Sequence, residues 1–287
     1  MKKITLLIAL LYFNSSNAQE AFSKPTGLVV TKAMVVSARE EASKIGADIM
    51  KKGGNAFDAM VGTELALAVA FPFAGNIGGG GFMVYRKANG EVGSLDYREK
   101  APLAATKDMF LDSEGNVIKG KSTQTALAIG VPGTIAGVFA VHKKYGTMPI
   151  SKILEPVIDL AERGVIVTKK QEKSIKDYHE SIVKINGENS LVSGNFKEND
   201  TIKYLALAKT LKRIQKKGRN EFYKGETAKI LVNYLQKKGG IITMQDLAKY
   251  EAKWRKPLQF TYKDLKITSM SPPSSGGICL AQILKML

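Results

Sequence analysis

Gly75-Asn76-Ile77-Gly78-Gly79-Gly80-Gly81-Phe82-Met83 is the stretch whose reading decides the fold. On its N-terminal side, Ala56 to about Ala70 is nearly all apolar, so it reads as a buried helix stopped by Pro72. On its C-terminal side, Phe82–Arg86 and Gly93–Arg98 flank Asn89-Gly90, which reads as a hairpin. The order is therefore helix, glycines, strand. A dinucleotide site needs strand, glycines, helix, and a phosphate loop needs Gly-Lys-Ser/Thr before a helix; neither fits. What four glycines without Cβ atoms do supply is close backbone approach, by another segment or by a substrate. The two strands are expected to lie in a sheet covered on both faces.

Further upstream, Gly27–Val36 is β-branched and reads as one or two strands. Ser37 and Glu40 read as a capping box opening a helix whose apolar face is Ala42, Ile45 and Ile49, ended by Gly53-Gly54. Asn55 with Asp58 caps the apolar helix. Downstream, 131–142, 151–163, 169–186, 202–217 and 227–238 read as helices, and Thr243 with Asp246 opens a short one. Leu258–Tyr262 and Leu265–Met270 form a final hairpin, and Ser274 or Ser275 caps a closing helix from Gly276. That helix is apolar to Leu287, with no cap and no polar tail. It reads as buried, and the expectation is that the sequence is a piece of a longer protein.

Lys2 and Lys3, the apolar run Ile4–Phe13 and the small residues Ser16 and Ala18 read as a secretory leader, with cleavage expected after Ala18. The expected address is periplasmic or secreted. No other run approaches membrane-spanning length. The 287 residues carry 43 Lys+Arg against 26 Asp+Glu, a net charge of +17. Residues 19–140 balance at +1, while 141–287 carry +14, densest at Lys212, Arg213, Lys216, Lys217 and Arg219. No aromatic residues interleave with this cluster, so it reads as a solvated helix face and not a nucleic-acid surface. A basic, non-catalytic surface-binding protein is the alternative from outside enzymology.

One Cys (Cys279) and two His (His142 and His179) exclude a disulfide framework and a Cys-rich or three-His metal site. Neither His neighbours a Gly-x-Ser-x-Gly elbow, so no Ser-His-Asp triad is supported. No cofactor and no metal is expected. Arg98 is the candidate binding residue: it closes the second strand beside the glycines, where an Arg fork can clamp a carboxylate. The competing reading is an ordinary ion pair with Asp96 or Glu99.

Six segments occur in order: Ala38-Arg39-Glu40-Glu41-Ala42-Ser43, Gly53–Ala59, Gly75–Met83, Asp96-Tyr97-Arg98-Glu99-Lys100-Ala101-Pro102, Val131-Pro132-Gly133 and Pro272-Pro273-Ser274-Ser275-Gly276-Gly277. Together they resemble the large-subunit part of γ-glutamyltranspeptidases, also called glutathione hydrolases, from about Pro25 to Leu287. The resemblance implies an α+β fold, the helix-rich large-subunit part of an N-terminal nucleophile hydrolase αββα sandwich. Residues 19–287 would be a partial large-subunit domain with a helix-rich lobe at about 131–250. It implies a self-cleaved precursor, with the small subunit as partner, and a Thr nucleophile whose own α-amine is the base. The γ-glutamyl group of glutathione or a related amide would pass to water, an amino acid or a dipeptide. It also implies that Arg98 holds the substrate α-carboxylate. The nucleophile would lie beyond Leu287, so no catalytic residue is assigned here, and Thr123, Thr125 and Thr134 are not promoted to that role. A β-lactam (cephalosporin) acylase of the same superfamily is the runner-up.

Overall fold

The structure, a computed structural model, describes residues 27–188 and 190–287. The leader expected at the N-terminus, with its cleavage after Ala18, lies outside the described residues. Val35–Leu287 form one compact unit, and the described residues before it, 27–34, lie outside that unit. No strand forms over Gly27–Val36, contrary to expectation. β-Branched side chains suit a pleated surface, but a strand exists only where a second one pairs with it.

Helix α1 (Glu40–Lys51) buries Ala42, Ile45 and Ile49, as their spacing requires. It does not start with the Ser37–Glu40 box. Its N-cap is Arg39, with no side-chain cap bond, and the Ser37 hydroxyl instead donates to the Arg39 carbonyl and meets Ser43 Oγ, each at 2.8 Å. Gly53 adopts φ +95° and turns the chain. Helix α2 (Ala56–Ala70) then opens with a complete box. Asn55 Oδ1 accepts from Phe57 N and Asp58 N, and the Asp58 carboxylate accepts from Asn55 N. The same carboxylate accepts from Thr147 N, Thr147 Oγ1 and Met148 N, which ties the start of α2 to a segment 90 residues away. The missing side chain at Gly62 lets Ile49 of α1 close over α2, with Ile153 in ordinary contact beside it.

Strands β1 (Phe82–Arg86) and β2 (Val92–Asp96) pair antiparallel, Phe82 opposite Asp96 and Arg86 opposite Val92. Gly90, at φ +86°, makes the turn. Burial matches the expectation for β2, where Gly93–Asp96 are all buried, but not for β1, where Val84 is exposed. Helix α3 (Thr134–Tyr145) starts three residues later than expected, because Val131 exchanges both backbone hydrogen bonds with Lys100. Helix α4 (Ile150–Arg163) packs on α2. Strand β3 (Val165–Ile166) precedes α5 (Lys169–Asn186) and pairs with β4 (Thr201–Ile202). That pairing takes Ile202 out of the helix expected from it, and α6 runs Leu205–Lys217.

A short helix α7 (Arg219–Tyr223), not foreseen, leads to α8 (Glu226–Lys237) and to α9 (Met244–Ala248), which Thr243 and Asp246 cap as expected. Strand β5 (Lys253–Arg255) returns to the far side of β2, giving the sheet order β1-β2-β5. Strands β6 (Leu258–Tyr262) and β7 (Leu265–Ser269) form the final hairpin. Helix α10 (Gly276–Met286) is not buried, contrary to expectation: Ile278, Leu280, Ile283 and Met286 are exposed and only Gly277 is buried. One apolar core joins α1–α4, α6–α9 and the β1–β2 hairpin.

Candidate functional site

The glycines after α2 form a crossing point. The Gly79 carbonyl accepts from Gly133 N at 2.7 Å and Thr134 N at 3.0 Å, so it sits on the N-terminus of α3, where unpaired N–H groups point outward. Gly81 and Tyr97 exchange backbone bonds at 3.3 and 3.0 Å and extend the hairpin by one pair. A Cβ on Gly80 would lie 2.5 Å from the Tyr97 carbonyl oxygen, 2.8 Å from Glu99 N and 3.0 Å from the Arg98 carbonyl carbon. Gly81, Gly133 and Gly137 wall in Tyr97, and a Cβ on any of them would collide with it. The segment that approaches the glycines closely is thus Tyr97-Arg98-Glu99.

Among the described residues Arg98 has no backbone partner for either of its own polar groups; side chains supply both. Its N–H donates to Asp96 Oδ1 at 3.0 Å, and its carbonyl accepts from the Tyr250 hydroxyl at 2.8 Å. Asp96 is in turn gripped by Arg255, through Nε at 2.9 Å and Nη2 at 2.8 Å. Tyr250 is buried, its ring stacked on Tyr223 at 5.7 Å, and the Tyr223 hydroxyl donates to the Pro132 carbonyl at 2.9 Å. Burial, and then the neighbouring Tyr223, push the Tyr250 hydroxyl far above its ordinary value, so it remains a donor.

The Arg98 backbone is fixed while its side chain is 62 % exposed. Of the two acids expected to compete for it, Asp96 is taken by Arg255, and Glu99 Oε2 lies 3.1 Å from Arg98 Nε. Among the described residues the hydrogen bonds of Arg98 are made by its backbone, and its guanidinium is ion-paired with Glu99. Around it, Lys100 donates to the Glu251 carbonyl at 2.9 Å and lies 4.6 Å from the centre of the Tyr250 ring. Burial and then the charge of Lys253 lower the Lys100 pKa. An exposed guanidinium can take a carboxylate by two parallel bonds.

The remaining candidates take structural parts. His142 Nε2 meets the Met148 carbonyl at 2.8 Å, and His179 lies on α5, a helix outside this site. Thr123 and Thr125 bond their own turn at the Gly120 and Lys121 carbonyls. Ser274 Oγ accepts from Gly276 N at 3.3 Å. Among the described residues, no three His, Cys, Asp or Glu are grouped as metal ligands, and no helix is long and apolar enough to cross a membrane. The basic cluster is largely paired internally. Lys212 bonds Glu162, Arg213 and Lys217 face the buried Glu221, and Arg219 reaches the Tyr250 carbonyl and stacks on Tyr223.

Sequence reasoning missed Tyr250 and Arg255. Each lies more than 150 residues from the group it holds, and β5 is too short and too charged to alternate. The one local signal was the Thr243–Asp246 cap, since Asp246 Oδ1 also accepts from Leu103 N at 2.6 Å and brings that region alongside.

The sequence profile of the family described as Gamma-glutamyltranspeptidase matches residues 42–287. The chain belongs to the γ-glutamyltranspeptidase family. It is 45 % identical over 261 residues to the glutathione hydrolase proenzyme of Escherichia coli strain K12, covering 89 % of this chain and 45 % of that protein. The chain thus spans less than half the length of the curated relative it matches. Among solved structures, the γ-glutamyltranspeptidase of Helicobacter pylori superposes with a TM-score of 0.87 at 46 % identity, covering 90 % of this chain and 75 % of that one. The chain therefore has the mixed helix and sheet fold of the γ-glutamyltranspeptidases, as the resemblance implied. A cephalosporin acylase from Bacillus halodurans superposes with a TM-score of 0.75 at 24 % identity, covering 90 % of this chain and 50 % of that one, a likeness of fold alone.

Proposed function

We propose that this chain supplies the donor-carboxylate half of an exported enzyme that transfers or hydrolyses γ-glutamyl groups, with glutathione and related amides as donors. The observation that carries this reading is the Arg98 peptide, wedged against Gly80 and tied at both ends, with its side chain largely exposed. A clamp must be rigid at its base and open at its tip, because a fork gains little if the chain that carries it moves.

In the proposed reaction the donor's α-carboxylate sits in the Arg98 fork, which displaces Glu99 from Nε or shares the guanidinium with it. The γ-carbonyl then faces a Thr hydroxyl contributed by the partner part of the same precursor. The Thr oxygen attacks the carbonyl carbon while the Thr α-amine takes the hydroxyl proton. The C–N bond breaks, the proton goes to the departing amine, and a γ-glutamyl ester remains. Water, an amino acid or a dipeptide then attacks that ester and restores the hydroxyl. This chain's own contribution is to bind and orient the donor.

The test is made on the chain assembled with its Thr-bearing part, with γ-glutamyl-p-nitroanilide and a glutaryl-cephalosporin as substrates. The account expects efficient release of p-nitroaniline and little cephalosporin cleavage. The opposite preference would establish the acylase reading instead. Pairing of Lys212, Arg213 and Lys217 with Glu162 and Glu221 weakens the case for the basic cluster as an anionic-surface binder.

A further inference from the structure

We infer that Tyr250 is a positioning residue for the donor carboxylate, acting through the Arg98 carbonyl; the inference rests on the reading of Arg98 proposed above. In an antiparallel strand the backbone itself fixes each peptide. Strand β2 ends at Asp96, so Arg98 lies beyond the ladder. Its backbone is held by two side chains from one distant segment: Arg255 through Asp96 on the N–H, and Tyr250 on the C=O. The peptide before the Arg98 Cα is fixed by the Asp96 carboxylate and by Gly81 N on the Tyr97 carbonyl, whereas the peptide after it is held by the Tyr250 hydroxyl, which therefore sets the direction in which the side chain leaves the backbone.

The surroundings of Tyr250 suit this role. The hydroxyl is buried, remains protonated and has one acceptor, the Arg98 carbonyl. The ring is held between Tyr223 on one side and the Lys100 ammonium, 4.6 Å from its centre. Gly133 completes the arrangement, since a Cβ there would collide with both the Tyr97 carbonyl and the Tyr250 hydroxyl. The Val131-Pro132-Gly133 segment thus leaves room for this one hydrogen bond. Tyr250→Phe keeps the stacking and removes only the donor.

The experiment measures kcat and KM for γ-glutamyl-p-nitroanilide in the assembled enzyme, for Tyr250→Phe, Arg98→Ala and the double variant, with thermal unfolding followed for each. Tyr250→Phe is expected to raise KM about three- to tenfold, the worth of one neutral hydrogen bond, with kcat changed less than about twofold. In the Arg98→Ala background the same change is expected to have no further effect on KM, because there is no guanidinium left to aim. An unchanged KM in Tyr250→Phe, with Arg98→Ala still impaired, overturns the inference and leaves the Arg98 reading standing. An unchanged KM in Arg98→Ala overturns both. An equal loss from Tyr250→Phe in the two backgrounds also overturns it, since that is the mark of a merely structural residue. Should Tyr250→Phe not fold, Arg255→Lys loosens the other handle and must give the same KM-only change; a loss confined to kcat contradicts the proposal.

Discussion

At the residue scale, what matters most is the absence of a Cβ. Gly80 and Gly78 are two residues apart and equally plain in sequence, yet only Gly80 faces the Arg98 backbone. A Cβ on Gly78 would make ordinary contact with Asn76 Oδ1 at 3.4 Å. Gly80→Ala is therefore expected to push the Tyr97–Glu99 segment away, destabilise by about 1–3 kcal/mol and raise the donor KM, while Gly78→Ala leaves both nearly unchanged. Thermal unfolding and donor kinetics on the pair check this. Asp58 gives a second prediction. Burial alone would raise its pKa, but bonds from Asn55, Thr147 and Met148 outweigh burial and hold it below the usual aspartate value. A carboxyl depressed in the folded state stabilises fully above its unfolded pKa of about 3.9, and loses that contribution as pH falls through the lower folded value. Urea midpoints are accordingly expected to favour the wild type over Asp58→Asn at pH 6, with the gap narrowing below about pH 4.

At the element scale, α2 was legible from end to end because its signals are local: Asn55 and Asp58 at the start, an apolar run, then Pro72. The hairpin turn at Asn89-Gly90 was legible for the same reason. Gly27–Val36 misled because composition reports what a strand tolerates, not whether a partner exists. Val131 and Ile202 misled because each prefers a bridge or strand to a distant segment over the helix that follows it. Strand β5 was illegible because its three residues are held by β2 across almost 160 positions. Packing between elements gives a further prediction. Ile153 of α4 is fully buried and packs over Gly62 of α2, so Ile153→Ala is expected to cost about 2–5 kcal/mol, read from denaturant unfolding. The exposed Ile230 of α8 is a control, and its replacement by Ala is expected to cost less than about 1 kcal/mol.

At the scale of the whole molecule, the sequence motifs turn out to be neighbours. The glycine run, Asp96–Pro102 and Val131-Pro132-Gly133 meet within one crossing at the N-terminus of α3, and the segment 243–255 locks it from outside. Arg98 was a candidate in the sequence beside the glycines, with an ion pair as the competing reading; the fixing of its backbone was not legible, because the two side chains that contribute to it come from the far end of the chain. The net charge of +17 was equally visible, and the structure shows why it is a poor guide to a partner: much of the densest basic cluster is spent on Glu162, Glu221 and Tyr250. The central claim is that the Arg98 guanidinium recognises a carboxylate. The most direct measurement is the ratio of kcat/KM for γ-glutamyl-p-nitroanilide to that for the same donor with its α-carboxylate converted to an amide, in wild type and in Arg98→Ala. The account predicts a wild-type ratio of about 30 or more that falls to near one in the variant, through loss of activity on the carboxylate donor alone. A ratio that survives the loss of Arg98 would contradict it.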